Sequence, residues 1–288
     1  MWIADGWKDY RLVDARGGEK IEYWGEYLLC RPEPQAIWPG RPNERKRADA
    51  IYHRSSSGGG HWQIINKRLP DRWEISYGDL IFNIKPMGFK HTGLFPEQAV
   101  NWDWFSGLIK KSGGKMRLLN LFAYTGGATV AALAAGAEVV HVDASKGMVA
   151  WAKENVISSG LADAPVRYIV DDVKKFVRRE IRRGRKYDAV IMDPPSYGRG
   201  PSGEVWKIEN ELYSLISDCL EIMSDDPLFF LINSYTTGLS PCLLTNVLEY
   251  TVRKKFGGEI SADEIGLKMG QSGLALPCGI SGRWRRSE

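Results

Sequence analysis

The run Tyr187-Asp188-Ala189-Val190-Ile191-Met192, followed by Asp193-Pro194-Pro195-Ser196 and Tyr197, reads as a buried strand that stops abruptly. Its apolar residues follow a charged stretch of helical character. Pro194 and Pro195 end the sheet ladder, because neither carries a backbone N–H. They also stiffen the turn, so the Asp193 carboxylate and the carbonyls beside it face the strand's C-terminal edge. Ligands of open α/β sheets bind at that edge. A rigid cluster of acceptors with an aromatic ring behind it suits a planar, nitrogen-bearing group. Taken alone, the stretch reads equally as a strand-ending turn with a surface aspartate.

Outward from it, the chain from Arg117 alternates short apolar runs with amphipathic stretches, the pattern of a parallel sheet covered on both faces. Arg117 to Phe122 reads as the first strand, Ala123-Tyr124-Thr125-Gly126-Gly127 as its turn, and Ala128 to Ala135 as a helix closed by Gly136. Glu138 to Val142 is the second strand, with Asp143 at its tip; a helix over Lys146 to Ser159 ends at Gly160. Val166 to Val170 is the third strand, with Asp171 and Asp172 at its end, and a basic helix over Lys174 to Arg183 leads into the strand before Asp193. Leu228 to Ile232 is the fifth strand, running into Asn233-Ser234-Tyr235. Consecutive strands thus end in polar or glycine clusters on one edge.

The spacing suggests roles. A glycine pair after the first strand lets backbone approach a ligand and opens a helix whose positive end favours an anion. An acid at the second strand's tip is placed to accept from ribose hydroxyls. An acid after the third strand can accept from an adenine amine. The dinucleotide fingerprint G-x-G-x-x-G is missing, since Gly126-Gly127 stands alone with Ala128 and Ala131-Ala132 nearby.

The ordered segments Asn120-Leu121-Phe122-Ala123-Tyr124-Thr125-Gly126-Gly127, Val142-Asp143-Ala144-Ser145, Asp171-Asp172-Val173 and Asp193-Pro194-Pro195-Ser196-Tyr197-Gly198 resemble class I S-adenosylmethionine-dependent methyltransferases. The group of bacterial 23S (large-subunit) ribosomal RNA methyltransferases is the most similar. Gly93-Leu94-Phe95-Pro96-Glu97-Gln98 is similar to that group's lead-in segment, which helps close over the cofactor. The likeness continues through Leu276-Pro277-Cys278-Gly279 to Arg283-Trp284. It implies a Rossmann-like α/β domain, S-adenosylmethionine as cofactor and RNA as substrate. It assigns cofactor contacts to Phe95, Gln98, Asn120, Phe122, Ala123, Tyr124, Thr125, Gly126, Gly127, Asp143, Ala144, Ser145, Asp171, Asp172, Val173 and Asp193. The acceptor side falls to Asp193, Pro194, Pro195 and Tyr197. The ring of Tyr197 comes one place later than in the common Asp-Pro-Pro-Tyr amine motif.

Members of the group that methylate carbon 5 of cytosine carry a nucleophilic cysteine in a Ser-Cys-Ser-like segment after the fifth strand. Asn233-Ser234-Tyr235 stands there in this chain, and a serine hydroxyl is too weakly ionised to replace a thiolate. Cys219 and Cys242 read as small buried helix residues. Methylation of a base nitrogen, ring or exocyclic, is the expectation, since it needs only positioning and acceptors for the departing proton. A protein side chain or small molecule as substrate, or an RNA-binding protein that keeps the cofactor fold without catalysis, stay open on the residues alone.

Composition bounds the rest. A chain of 288 residues, 43% hydrophobic, has core enough for one large domain and a small one. No apolar run is long enough to span a membrane, and the N-terminus does not read as a signal peptide. Four scattered cysteines and four scattered histidines suit a reducing cytoplasm and no metal. The net charge of +4 is mild. Eight of the eleven tryptophans lie at or before Trp104. Strands over Tyr10 to Asp14, Lys20 to Tyr23, Trp24 to Cys30, His61 to Ile65 and Leu80 to Ile84, with a flexible connection over Ser55 to Gly60, give a small antiparallel β domain over 1–90. The methyltransferase domain takes 91–288, starting with a helix near Glu97 to Lys111. The tryptophans are expected to pack rather than stack on bases. Two basic runs offer phosphate contacts: Arg41, Arg45, Lys46 and Arg47 beside Trp38, and Lys174 to Lys186 with Glu180 as its one acid. The competing reading of the second run is the solvated face of an outer helix. Oligomeric state, monomer or homodimer, is not legible.

Overall fold

The computed structural model describes residues 1–55, 59–113, 116–199 and 205–287. Half of the expected flexible connection over Ser55 to Gly60, residues 56–58, lies outside the described residues. The chain forms two compact units, one of residues 1–100 with 265–278, the other of residues 101–264 with 279–288.

In the first unit β1 (Trp2–Ile3) pairs in parallel with Ile265 and Gly266. A five-stranded sheet follows in the order β2 (Tyr10–Arg16), β3 (Glu19–Trp24), β4 (Tyr27–Pro32), β5 (Ala50–Arg54) and β6 (Gly60–Ile64). A separate hairpin joins β7 (Trp73–Tyr77) to β8 (Leu80–Ile84). The sheet is antiparallel except for one parallel pair, β4 with β5. The strand expected over Trp24 to Cys30 is broken, because Trp24 pairs with Tyr27 across a two-residue Gly25-Glu26 turn. Strands β5 and β7 are additions to the expected set: Ala50–Arg54 lacks the alternation that marks a strand in sequence, whereas Trp73–Tyr77 carries it in a run of only five residues. Trp24 is fully buried and meets Tyr10 edge-on at 4.9 Å. Beneath it Glu22, wholly buried, accepts from Arg31 at 2.7 and 3.0 Å and from the Tyr10 hydroxyl at 2.6 Å. The Arg31 guanidinium and the Lys20 ammonium hold the Glu22 carboxyl down to about 2 against the cost of its burial.

The second unit contains β9 (Arg117–Leu121), β10 (Glu138–Asp143), β11 (Val166–Val170), β12 (Ala189–Met192), the hairpin β13 (Tyr197–Arg199) and β14 (Val205–Lys207), and β15 (Phe229–Ser234). Two long strands, β16 (Glu259–Lys268) and β17 (Ala275–Arg285), each pass from one unit into the other. The sheet order runs β17-β15-β12-β9-β10-β11. All pairs are parallel except β15 with β17. Strands β12 and β15 are buried along their whole length, as centre strands covered on both sides must be. The helices are α1 (Ala99–Lys111), α2 (Gly127–Ala134), α3 (Lys146–Ser158), α4 (Val173–Arg182), α5 (Ile208–Leu220) and α6 (Pro241–Leu248). Helix α2 packs on α3 and α4 on α5. Right-handed crossovers that step outward from β9 to β11, then back across to β12, place these two pairs on opposite faces. Leu119, Val140, Phe176, Val190, Leu215, Phe230 and Trp284 are among the residues of the resulting core. Each such side chain contributes about 1.5–3 kcal/mol by leaving water.

Chain order reverses at β9, whose neighbours β10 and β12 come from opposite directions of winding. That reversal opens a crevice beyond the carboxyl ends of the strands. Register fixes what lines it. Leu121 pairs with Val142 and with Met192, Val142 with Ile169, and Met192 with Ile232. The next residue along is therefore Phe122, Asp143, Asp193 and Asn233 on four adjacent strands.

Candidate active site

The turn after β9 is held in an unusual shape. Phe122 and Tyr124, neither of them glycine, have φ of 54° and 50°. Such angles in aromatic residues persist only where the surroundings impose them. Here the imposing group is Asp143: its Oδ2 accepts the Tyr124 N–H at 2.8 Å, and its Oδ1 accepts the Ser145 N–H at 2.8 Å. Further bonds brace the loop, from Ala123 N–H to the Val142 carbonyl at 3.0 Å and from the Asn155 amide to the Thr125 carbonyl at 2.8 Å. Asn155 is buried on α3, and nothing in its sequence context marks it beyond membership of that helix.

Gly126 caps α2 with φ 80°. A Cβ there would stand 2.8 Å from the Cβ of Ala152 on α3, so both angle and space demand glycine. The helix beginning at Gly127 turns its free amides toward the crevice. Asn120 is buried within β9 and donates to Thr129 Oγ1 at 2.9 Å, which also contacts His141 Nδ1 at 2.9 Å. Its side chain is thus committed to the packing of α2. Burial lowers His141 to about 3, which keeps the ring neutral.

The third-strand acids are partly engaged. Asp172 caps α4, accepting from Lys175 N–H at 2.8 Å, and Val173 is buried as the first helical residue. Asp171 forms an ion pair with Arg179 and donates its N–H to the Asp143 carbonyl at 3.0 Å. Ala144 and Ser145 are exposed, Ser145 capping α3. Phe95 and Gln98 belong to the other unit, where the Gln98 N–H meets the Phe95 carbonyl at 3.1 Å.

On the acceptor side, Asp193 donates its N–H to the Leu121 carbonyl at 3.3 Å, and Pro194 is buried while Pro195 and Tyr197 are exposed. Tyr197 begins β13. This hairpin is not among the expected elements, and it returns Trp206 to the turn: its Nε1 donates to the Pro195 carbonyl at 2.6 Å. Ser196 Oγ accepts from Thr236 at 2.6 Å.

The family model of the S-adenosylmethionine-dependent methyltransferases matches residues 44–215, more than half of the chain. The chain belongs to this family. A solved S-adenosylmethionine-dependent methyltransferase from Agrobacterium tumefaciens is 36% identical with a TM-score of 0.92, over 98% of this chain and 92% of that one. Curated relatives include ribosomal RNA large subunit methyltransferase K/L of Shewanella frigidimarina, 28% identical over 69% of this chain and 26% of the relative. Ribosomal RNA large subunit methyltransferase I of Photobacterium profundum is 27% identical over 69% of this chain and 54% of the relative. The chain therefore spans about half or less of the curated relatives it matches.

The cofactor is S-adenosylmethionine, and the crevice suits it. The amides at the start of α2 offer donors to a carboxylate. Each Asp143 oxygen has already accepted one amide and keeps a lone pair for a hydroxyl.

Two expectations for this unit need correction. Cys242 is exposed at the start of α6, whereas Cys219 is buried as expected. The basic run of α4 is offset by more than Glu180: Lys174 pairs with Glu211, Arg178 with Asp218 at 3.8 Å and Arg179 with Asp171. Glu211 and Asp218 come from α5, which adjacency in sequence cannot show, and Asp171 from the tip of the strand just before α4. Glu180 itself is buried against the Tyr187 hydroxyl at 2.6 Å. Among the described residues no group of His, Cys, Asp and Glu could hold a metal ion, and no helix is long and apolar enough to cross a membrane.

Proposed function

We infer that this methyltransferase acts on a nitrogen of a base in RNA, with ribosomal RNA as the natural substrate. The observation that carries this reading is the row Phe122, Asp143, Asp193 and Asn233, which sets the acceptor turn two strands from the cofactor's acid. Asp193 and the Pro194 carbonyl would accept hydrogen bonds from the N–H groups of a base, turning the nitrogen lone pair toward the crevice. Asp193 would then take up the proton released on methylation. S-adenosylmethionine supplies an activated methyl group on its sulfonium.

The segment that carries the nucleophile in the carbon-5 methyltransferases holds no cysteine in this chain. Asn233 occupies the place of the nucleophile's segment and is turned inward, accepting from Asn101 at 3.0 Å and Ser281 at 2.7 Å. Burial pushes the Cys219 thiol well above its ordinary range. RNA is supported by the names of the curated relatives, both ribosomal RNA methyltransferases.

The test is mass spectrometry of ribosomal RNA nucleosides from a strain lacking the gene. One N-methylated base should disappear and return with the wild-type protein. An unchanged nucleoside profile contradicts the reading.

A further inference from the structure

Trp206 touches both sides of the crevice. The register Gly198 to Trp206 brings the indole back over the turn that follows β12. Its Nε1 donates to the Pro195 carbonyl at 2.6 Å, and its ring meets that of Phe122 at 5.4 Å, tilted by 54°. Phe122 is the first residue of the strained turn after β9, with φ 54°. A single half-buried side chain thus joins the acceptor turn to the cofactor turn.

The bond decides which carbonyls stay available. Neither Pro194 nor Pro195 has an N–H, so the middle of this turn cannot be braced by amides of its own, while the Asp193 N–H is already given to the Leu121 carbonyl. Bracing comes from elsewhere. Trp206 occupies the Pro195 carbonyl, and the Ile208 N–H occupies the Ser196 carbonyl at 3.2 Å. Among the described residues no donor meets the Pro194 carbonyl.

We propose that Trp206 is a positioning residue for methyl transfer: its N–H fixes the Pro195 carbonyl, and so sets Pro194 and Asp193 as the pair that faces the acceptor nitrogen. This rests on the reading of Asp193 and Pro194 under Proposed function. Small displacements of a group that orients the reacting atoms are costly in rate without loosening binding.

Tritiated methyl transfer to ribosomal RNA purified from a strain lacking the gene, at saturating cofactor, separates kcat from KM. Trp206→Phe keeps a ring against Phe122 and removes the N–H. Its kcat should fall roughly threefold to tenfold, the scale of one neutral hydrogen bond. KM for the RNA, affinity for S-adenosylmethionine and melting temperature should stay as in the wild type. Should Trp206→Phe fold poorly, benzothienylalanine at 206, which replaces the N–H by sulfur in the same shape, makes the same measurement. A donor-less variant with wild-type kcat, or a loss confined to KM, overturns the inference alone. A wild-type protein that methylates no ribosomal RNA overturns the functional reading and this inference with it.

Discussion

Asp143 Oδ2 accepts the backbone N–H of Tyr124 at 2.8 Å and thereby holds open a turn in which two aromatic residues sit at positive φ. The same carboxylate is the acid placed to meet ribose hydroxyls. On this assignment one group shapes the cofactor loop and would also meet the cofactor, so its removal should act twice.

Asp143→Ala should weaken S-adenosylmethionine binding by at least about 1.5–3 kcal/mol, the scale of a hydrogen bond to a charged group. Asp143→Asn, which keeps one acceptor oxygen, should lose less. Titration calorimetry reads both values. Equal, unchanged affinities would remove Asp143 from the cofactor site.

Gly126→Ala combines a φ of 80° with a Cβ only 2.8 Å from that of Ala152. A left-handed alanine and an overpacked contact together should cost about 2–4 kcal/mol. Thermal unfolding should show the loss. Gly127, already within the α2 helix, should tolerate alanine far better.

His141 links protonation to stability. Its folded-state value is depressed from 6.5 to about 3 by burial, so the folded protein refuses a proton that the unfolded chain accepts. The contribution is complete above pH 6.5 and is lost as the pH falls from there toward 3. The slope is at most about 1.4 kcal/mol per pH unit from this group. His91, likewise lowered to about 3 by burial and by the cations Arg31, Lys90 and Lys20, adds the same sign. His141→Gln should flatten the fall of melting temperature between pH 6.5 and 5. A curve parallel to wild type would show that the imidazole is not the group involved.

The order of strands β9 to β12 and the acids at their tips were legible because parallel centre strands are continuous apolar runs that end at polar residues. What stayed hidden depends on long-range pairing. The hairpin that carries Trp206 is too short to show a period, and β17 takes its place only by pairing Phe229 with Arg285. The partners of Asn120 and Asp171 could not be read either. Both look like crevice residues by position, yet Thr129 and Arg179 engage their side chains. Position in a motif says which edge a residue reaches, not which neighbour claims it.

Replacing all four cysteines, Cys30, Cys219, Cys242 and Cys278, by serine or alanine should leave turnover largely intact if the protein folds. The exposed Cys242 can be replaced alone first, without disturbing the core. RNA carrying 5-fluorocytosine should form no covalent complex with the wild-type protein. A trapped adduct would restore the carbon-5 route.

The most direct test is Asp193→Ala, measured as methyl transfer to ribosomal RNA at saturating S-adenosylmethionine. A lost positioning and proton-accepting group should lower the rate by on the order of 10²-fold or more. Cofactor affinity should change little, because the cofactor loop is shaped by Asp143 and Gly126. A variant that loses cofactor binding yet transfers methyl at the wild-type rate when saturated would contradict the assignment of Asp193 to the acceptor.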